Sequence, residues 1–352
     1  MIRSRTIAAA LTVVAIALSG CTNDATTSSG AAPSAPLPTE VPPGTKLVIA
    51  DQSESLQSAL RISGELDKLP FQYQFANFVG GPAILEAFRA GAADVAPVGD
   101  VPPIHALAAK QDVPIIAGRQ TDPKQLKLAV APGKNVKTLA DLRGKKIAYA
   151  EGTAQQAAVL RAIDKAGLQK TDVELVRLQL AEFPDAVRTG QVDVAPLVEP
   201  NVTRFSKTEG ASFIPDSETA GIYGGFGYLY ARREVLNDPA KAAALRALVA
   251  AYVRAYHWIN NNQAEWAQKY YVDNQKISAD NAKRIVDSLG TYAFPHLDAK
   301  LVARQQETID AIDKAGELPR KIKASDGFDL RFDEVVTKTV AEIGAVHERR
   351  DS

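Results

Sequence analysis

The sequence predicts an α/β protein of two similar lobes, each a mainly parallel sheet with flanking helices. Three observations predict it. The stretch "GAADVAPV" at 91–98 returns as "GQVDVAPL" at 190–197, each copy preceded by Ala and Arg at matching places, Ala87 and Arg89 in one, Ala186 and Arg188 in the other. Around each copy, short apolar runs alternate with helical stretches in the order strand, helix, strand, helix, strand. Finally, 352 residues suit two domains rather than one, and two copies are too few for a solenoid.

The first half opens with the strand "LVIA" (47–50) and the polar loop "DQSES". "LQSALRISGELDKL" (56–69) reads as one helix with apolar residues at 56, 59, 60 and 62, and "FQYQFANF" (71–78) alternates with the period of a strand. A helix over 80–91 has Pro82 near its first position, where the missing N–H costs nothing, and Gly91 at its left-handed end. The strand "DVAPV" follows, then a helix starting from Asp100. The second half repeats the order: a short helix in "TLADLRG", the strand "KKIAYA", the loop "EGT", then a helix capped by Thr153 and closed by Gly167. The strand "VELVRLQ", a helix from Phe183 and Pro184, and the strand "DVAPLV" complete it.

Two extended segments, 125–133 and 222–233, read as crossing strands that form a hinge between lobes. The expected lobes are 46–124 with 228–345, and 125–227 with the crossing strands. From Asp238 and Pro239 a long helix keeps Leu245, Leu248, Val249, Tyr252, Tyr256 and Ile259 at helical spacing and ends at Asn260–Asn262. The aromatics beyond, Trp258, Trp266, Tyr270 and Tyr271, read as core.

The N-terminus carries Arg3 and Arg5 before the apolar run "IAAALTVVAIAL", the layout of a secretory signal over residues 1–20 and too short for a comfortable membrane span. It ends in "LSGC", similar to a bacterial lipoprotein cleavage box, which makes Cys21 the expected lipid-bearing residue; a stray cysteine after an ordinary signal is the alternative. Cys21 is the only cysteine, so no intrachain disulfide is possible. Residues 21–45, small, polar and proline-rich, read as a flexible tether, because they cannot bury enough surface to offset their ordering entropy. The expected location is the extracytoplasmic face of the cell membrane.

Charge excludes as much as it suggests. Lys plus Arg equals Asp plus Glu, 41 each, so bulk electrostatics gives no reason to expect nucleic acid as a partner. His105, His257, His296 and His347 are scattered without metal-ligand spacing, and no nucleophile elbow or phosphate loop is present. No catalytic residue, metal or cofactor is therefore expected.

In open parallel α/β sheets, ligands bind beyond the carboxyl ends of the strands, where loops lead into helices. The loops that qualify are 52–55, 80–82, 99–101, 152–155 and 198–201; five of them on facing lobes define a cleft around a small molecule. Taken singly, each also has a plain turn or capping role. None carries Lys or Arg, whereas Glu54, Asp100 and Glu199 lie in them. Asp100 has an alternative role as cap of the helix at Pro102. Glu199 points to a solute with an amino group beside its acid, or another cationic or hydrogen-donor group. Phe78, Tyr223, Phe226 and Tyr228 are candidate contacts for an apolar tail, Phe226 foremost because Gly225 and Gly227 flank it.

The run "FVGGPAILEAFRAGAADVAPVGDVPPIHALAAK", with "VKTLADLRGKKIAYAEGT" and "LRAIDKAGL", resembles the ABC-transporter solute-binding proteins for aliphatic sulfonates, taurine and nitrate, convincingly over 46–235 and loosely beyond. The resemblance implies the two-lobed type II periplasmic-binding-protein fold with a two-strand hinge, and a monomer that passes its ligand to an ABC permease and its ATPase. It implies ligand contacts at Gln52, Ser53, Glu54, Gly81, Pro82, Asp100, Val101, Gly152, Thr153 and Gln155, with Glu199 in the last cleft loop. There the family's aromatic-acid-proline motif is Val198-Glu199-Pro200, without the aromatic. A sensor module working through a signalling partner, or an enzyme on the same fold, stays open as the alternative.

Overall fold

The computed structural model describes residues 35–349, so the expected signal peptide, Cys21 and the tether up to residue 34 lie outside the described residues. The first half runs β1 (Lys46–Asp51), α1 (Ser55–Ile62), β2 (Gln72–Asn77), α2 (Gly81–Arg89), β3 (Val95–Gly99), α3 (Pro102–Ala108) and β4 (Ile115–Gln120). The second runs β5 (Lys127–Val130), β6 (Lys146–Tyr149), α4 (Ala154–Lys165), β7 (Glu174–Arg177), α5 (Phe183–Arg188), β8 (Val194–Leu197), α6 (Asn201–Phe205), β9 (Ser212–Phe213) and α7 (Asp216–Thr219). Then come β10 (Phe226–Ala231), α8 (Arg233–Asn237), α9 (Pro239–Asn261), α10 (Gln263–Trp266), a π-helix (Ala267–Asn274), α11 (Ala279–Leu289), α12 (Ala299–Lys314) and α13 (Asp333–Ile343).

Both sheets share one topology. The first is ordered β2-β1-β3-β10-β4 and the second β7-β6-β8-β5-β9. In each, the first three strands are parallel and an antiparallel strand lies beside the third: β10 against β3, and β5 against β8. The repeated phrase has a matching physical role in both. Asp94 accepts a hydrogen bond from the Val48 N–H on Oδ2 and donates its own N–H to the Val48 carbonyl, each at 2.8 Å. Asp193 does the same with Lys146, again at 2.8 Å. A carboxylate thus supplies one rung at the point where the third strand enters the sheet.

Beyond that rung the parallel ladder stops at a single pair, Ile49 with Val95 in one sheet and Ile147 with Val194 in the other. Pro97 and Pro196 fall after it, past the end of the ladder, which is how proline is tolerated inside these sheets. The opening between strands of this kind is the switch point at which α/β folds bind ligands.

Local differences from the sequence reading have plain causes. The helix expected over 56–69 ends at Ile62, because Gly64 turns left-handed at φ 75°; only a 3-10 turn remains at Leu66–Lys68. The strand portions of the expected crossing segments each belong wholly to one sheet, and β10 begins at Phe226, two residues before the expected lobe boundary. The crossings are the short stretches around Thr121–Leu126 and Tyr223–Gly225. They are tied together by Thr121, whose N–H (3.0 Å) and Oγ1 (3.1 Å) both donate to the Gly225 carbonyl. Gly225 is required there: its φ is 71°, and a Cβ would sit 2.4 Å from the Thr121 carbonyl oxygen.

The long helix α9 is capped by Asp238, which accepts from the N–H groups of Ala240 and Lys241, and it buries the six apolar positions read from its spacing. α12 lies across both lobes. Gln305 donates to the Asp100 carbonyl at 2.7 Å, while Thr308 accepts from Arg161 of α4 at 2.6 Å.

Candidate functional site

A cavity of about 430 Å³ opens where the carboxyl ends of both sheets face each other. It is lined from the first lobe by Asp51, Gln52, Ser53, Pro97 and Gly99, from the second by Ala154, Gln155, Val198 and Glu199, and at the crossings by Thr121, Tyr223 and Phe226. Beside it the lobes touch directly. His105 Nε2 lies 2.9 Å from Gln156 Oε1, and a Cβ on Gly99 would stand 3.1 Å from that of Ala154. Gln156 Oε1 also accepts from the Gly152 N–H, so the imidazole nitrogen facing it is the donor.

Of the residues expected to form the site, Gln52, Ser53, Gln155, Glu199 and Phe226 come together on this one cavity. Gln52 is fixed by its amide, which donates to the Pro97 carbonyl at 3.0 Å and continues the interrupted ladder. Ser53 and Glu54 hold left-handed backbones, φ 53° and 55°, sparsely populated for such residues. Surrounding groups hold them there: Tyr270 Oη and Gln275 Nε2 donate to the Ser53 carbonyl, and the Glu54 N–H donates to Asn77 Oδ1.

The remaining candidates are placed elsewhere. The Glu54 carboxylate accepts from Asn274 at 2.8 Å and is not on the cavity wall. Pro82 and Thr153 line a separate groove of about 410 Å³ shared with Tyr149, Arg177 and Leu180. Gly81 packs on Pro102 and Gly152 on Pro82. Gly152 and Thr153 are buried rather than in an exposed loop, and Thr153 caps α4 by accepting from the Gln156 N–H. Val101 is core. Asp100 does not cap α3, whose N-cap is Val101 without a side-chain bond. It is buried beside Arg161, Tyr223 and Tyr228, and one of its carboxylate oxygens has no partner. Burial pushes its carboxyl above the usual range, although Arg161 acts against this.

Glu199 lines the cavity with its charge already engaged. It accepts from the Thr203 N–H (3.1 Å), from Thr203 Oγ1 (3.0 Å) and from Ser288 Oγ (3.3 Å) on α11 of the facing lobe. Asp51, which the sequence reading passed over, is in the same condition at the start of α1. Its carboxylate accepts from the N–H groups of Gln52, Leu56 and Gln57 at 2.7–3.1 Å, at the positive end of the helix.

Two further groups escaped the sequence reading. Arg119 of β4 lines the cavity, with its guanidinium carbon 4.6 Å from the Tyr256 ring centre and 5.3 Å from that of Tyr292. It pairs with no carboxylate among the described residues, and its Nε has no partner. Trp266, Tyr270 and Tyr271 also line the cavity and are not core alone. Trp266 stacks on Tyr270 at 4.3 Å, and Tyr271 meets it edge-on. Burial raises the hydroxyls of Tyr223, Tyr270 and Tyr271 above the usual tyrosine value and that of Tyr292 to about 12, so all remain O–H groups at neutral pH.

The sequence and fold match known binding proteins. Residues 82–266 match the model of the NMT1/THI5 like family. An Escherichia coli protein named for binding aliphatic sulfonates is 27% identical over 248 residues, which are 70% of this chain and 76% of that one. The alkanesulfonate-binding protein SsuA from Xanthomonas axonopodis pv. citri, solved with MOPS, superposes with a TM-score of 0.73 at 22% identity, over 82% of this chain and 99% of the other. The periplasmic aliphatic sulphonate binding protein SsuA from Escherichia coli gives 0.68 at 25% identity, over 82% and 97%. With two mixed sheets of one topology, a pair of crossings and a cavity between them, the chain has the α/β periplasmic-binding-protein fold and belongs to the NMT1/THI5-like family.

Proposed function

We propose that this protein is the extracytoplasmic solute-binding component of an ABC importer, capturing a small organic acid of the sulfonate type between its lobes and delivering it to the permease. The observation that carries this reading is the cavity at the switch points of both sheets, walled by both lobes and by the crossings that join them. A solute touching Gln52 and Arg119 on one side and Gln155 on the other bridges two bodies that only short segments connect. Its contacts to both exist only when the lobes are together, so binding draws the equilibrium toward closure. The moving bodies of this reading are residues 46–124 with 228–345, and 125–227.

A thermal-shift panel of sulfonates, taurine, nitrate, amino acids and heterocycles tests the reading on the purified protein. A sulfonate or related acid is expected to raise the melting temperature in proportion to RT ln(1 + [L]/Kd). Deleting the gene is then expected to abolish uptake of that solute. A panel without any shift, or uptake that survives the deletion, would refute the proposal.

Anchoring through Cys21 belongs to the same reading, because the "LSGC" box and the solitary cysteine agree. Cys21→Ala is expected to move the protein from the membrane fraction to the soluble one. An unchanged distribution on immunoblot counts against the anchor.

A further inference from the structure

We infer that the cavity selects organic acids with a planar, π-rich body, the acid group held by Arg119; this rests on the solute-binding reading above and narrows it. Four charged side chains line the cavity: Asp51, Glu199, Arg119 and Arg204. Both carboxylates already accept from the protein's own donors: Asp51 from three backbone N–H groups, and Glu199 from the Thr203 N–H and Oγ1, with Ser288 Oγ, which also donates to the Ile285 carbonyl, at 3.3 Å. Arg204 is exposed and leans on Asn201 at 3.4 Å. Arg119 alone combines partial burial with the absence of a counter-charge among the described residues. An uncompensated guanidinium away from bulk water is costly, and an anionic solute offsets that cost with charge-assisted hydrogen bonds.

The same census weighs against the amino-bearing solute to which Glu199 pointed on sequence alone. An ammonium would enter a cavity whose carboxylates are already engaged by the protein and whose one cation without a carboxylate partner among the described residues is Arg119.

The solute's body is set by the rest of the wall. Tyr223, Phe226, Trp266 and Tyr271 are among the residues lining a volume of about 430 Å³, room for a drug-sized molecule rather than a two-carbon acid. Trp266 Nε1 and Tyr256 Oη, both buried on this wall, have no hydrogen-bond partner.

Titration calorimetry with benzenesulfonate, benzoate, benzenesulfonamide, butanesulfonate, taurine and choline tests the inference. Trp266 emission in a Trp258→Phe background, which leaves one tryptophan, reports on the same wall. The aryl acids are expected to bind about ten-fold or more tighter than butanesulfonate, taurine and the neutral sulfonamide. Arg119→Met is expected to weaken the aryl acids by about 10- to 100-fold, the range for a hydrogen bond to a charged group. Trp266→Leu is expected to weaken the aryl acids while sparing butanesulfonate. Wild-type preference for butanesulfonate, taurine or choline overturns the inference and leaves solute binding standing; failure of every acid to bind overturns both. Should Arg119→Met not fold by circular dichroism, the wild-type ranking and Trp266→Leu decide.

Discussion

Asp100 is the residue whose sequence role and structural role differ most. Placed just before a helix, it has the position of a cap, but the chain turns its carboxylate inward, toward Arg161 of the other lobe. Burial disfavours its charge more than Arg161 favours it, so the folded chain keeps this proton to a higher pH than the unfolded chain does. Between the unfolded value, about 3.9, and that higher value, stability falls as pH rises, and above it the full cost of the buried charge is present. Asp100→Asn is therefore expected to be more stable than wild type at pH 7–8. Urea melts should show that gain shrinking as pH falls toward the ordinary carboxylate range. A gain that does not change with pH would mean that packing, not charge, separates the two chains. Gln52, Gln155 and Glu199 were readable because loops after strands are where such sheets bind. Arg119 was not: a lone cation at the end of "IIAGRQ" looks like one that reaches out to water, and only the fold, which sets its guanidinium over Tyr256 of α9 and Tyr292, shows it turned onto tyrosines.

Among the elements, the π-helix at Ala267–Asn274 stands out at the cavity. It follows Trp266 and places Tyr270 and Tyr271 on the cavity wall beside it, and such helices concentrate at functional sites. From sequence, aromatics four and five apart are indistinguishable from the buried stripe of an α-helix, which is why these three read as core. Deleting the exposed Gln268 should return the segment toward α-helical winding and change how Tyr270 and Tyr271 are set against Trp266. The expected result is a folded protein with unchanged far-ultraviolet circular dichroism and ligand affinity at least about ten-fold lower, since stacking contacts of this kind are worth about a kcal/mol each. Undiminished affinity would remove the π-helix from the site. The repeated Asp-Val-Ala-Pro phrase was legible as a strand in each lobe, whereas the bond of its carboxylate to the neighbouring strand shows only in the structure. The crossings were legible only as extended chain, since nothing local marks where one sheet ends and the next begins.

For the molecule as a whole, the closure proposed above requires the lobes to approach beside the cavity. Gly99 faces Ala154 across that contact, and it has an ordinary strand backbone rather than a left-handed one. Gly99→Val therefore suits the local conformation while placing bulk between the lobes. It is expected to keep the melting temperature of the free protein within a few degrees and to weaken binding by about ten-fold or more. Small-angle scattering is expected to show the ligand-induced contraction reduced or lost, and full contraction in the variant would show that this contact does not gate closure. The strand order carries one more consequence. All five strands of the second sheet lie between residues 127 and 213, whereas β4 of the first has no neighbour in its sheet until β10 slots in beside it at 226–231. A nascent chain can thus assemble its inner half while the outer half still waits for a missing stave, and an arrest before residue 226 would strand β4 without its partner.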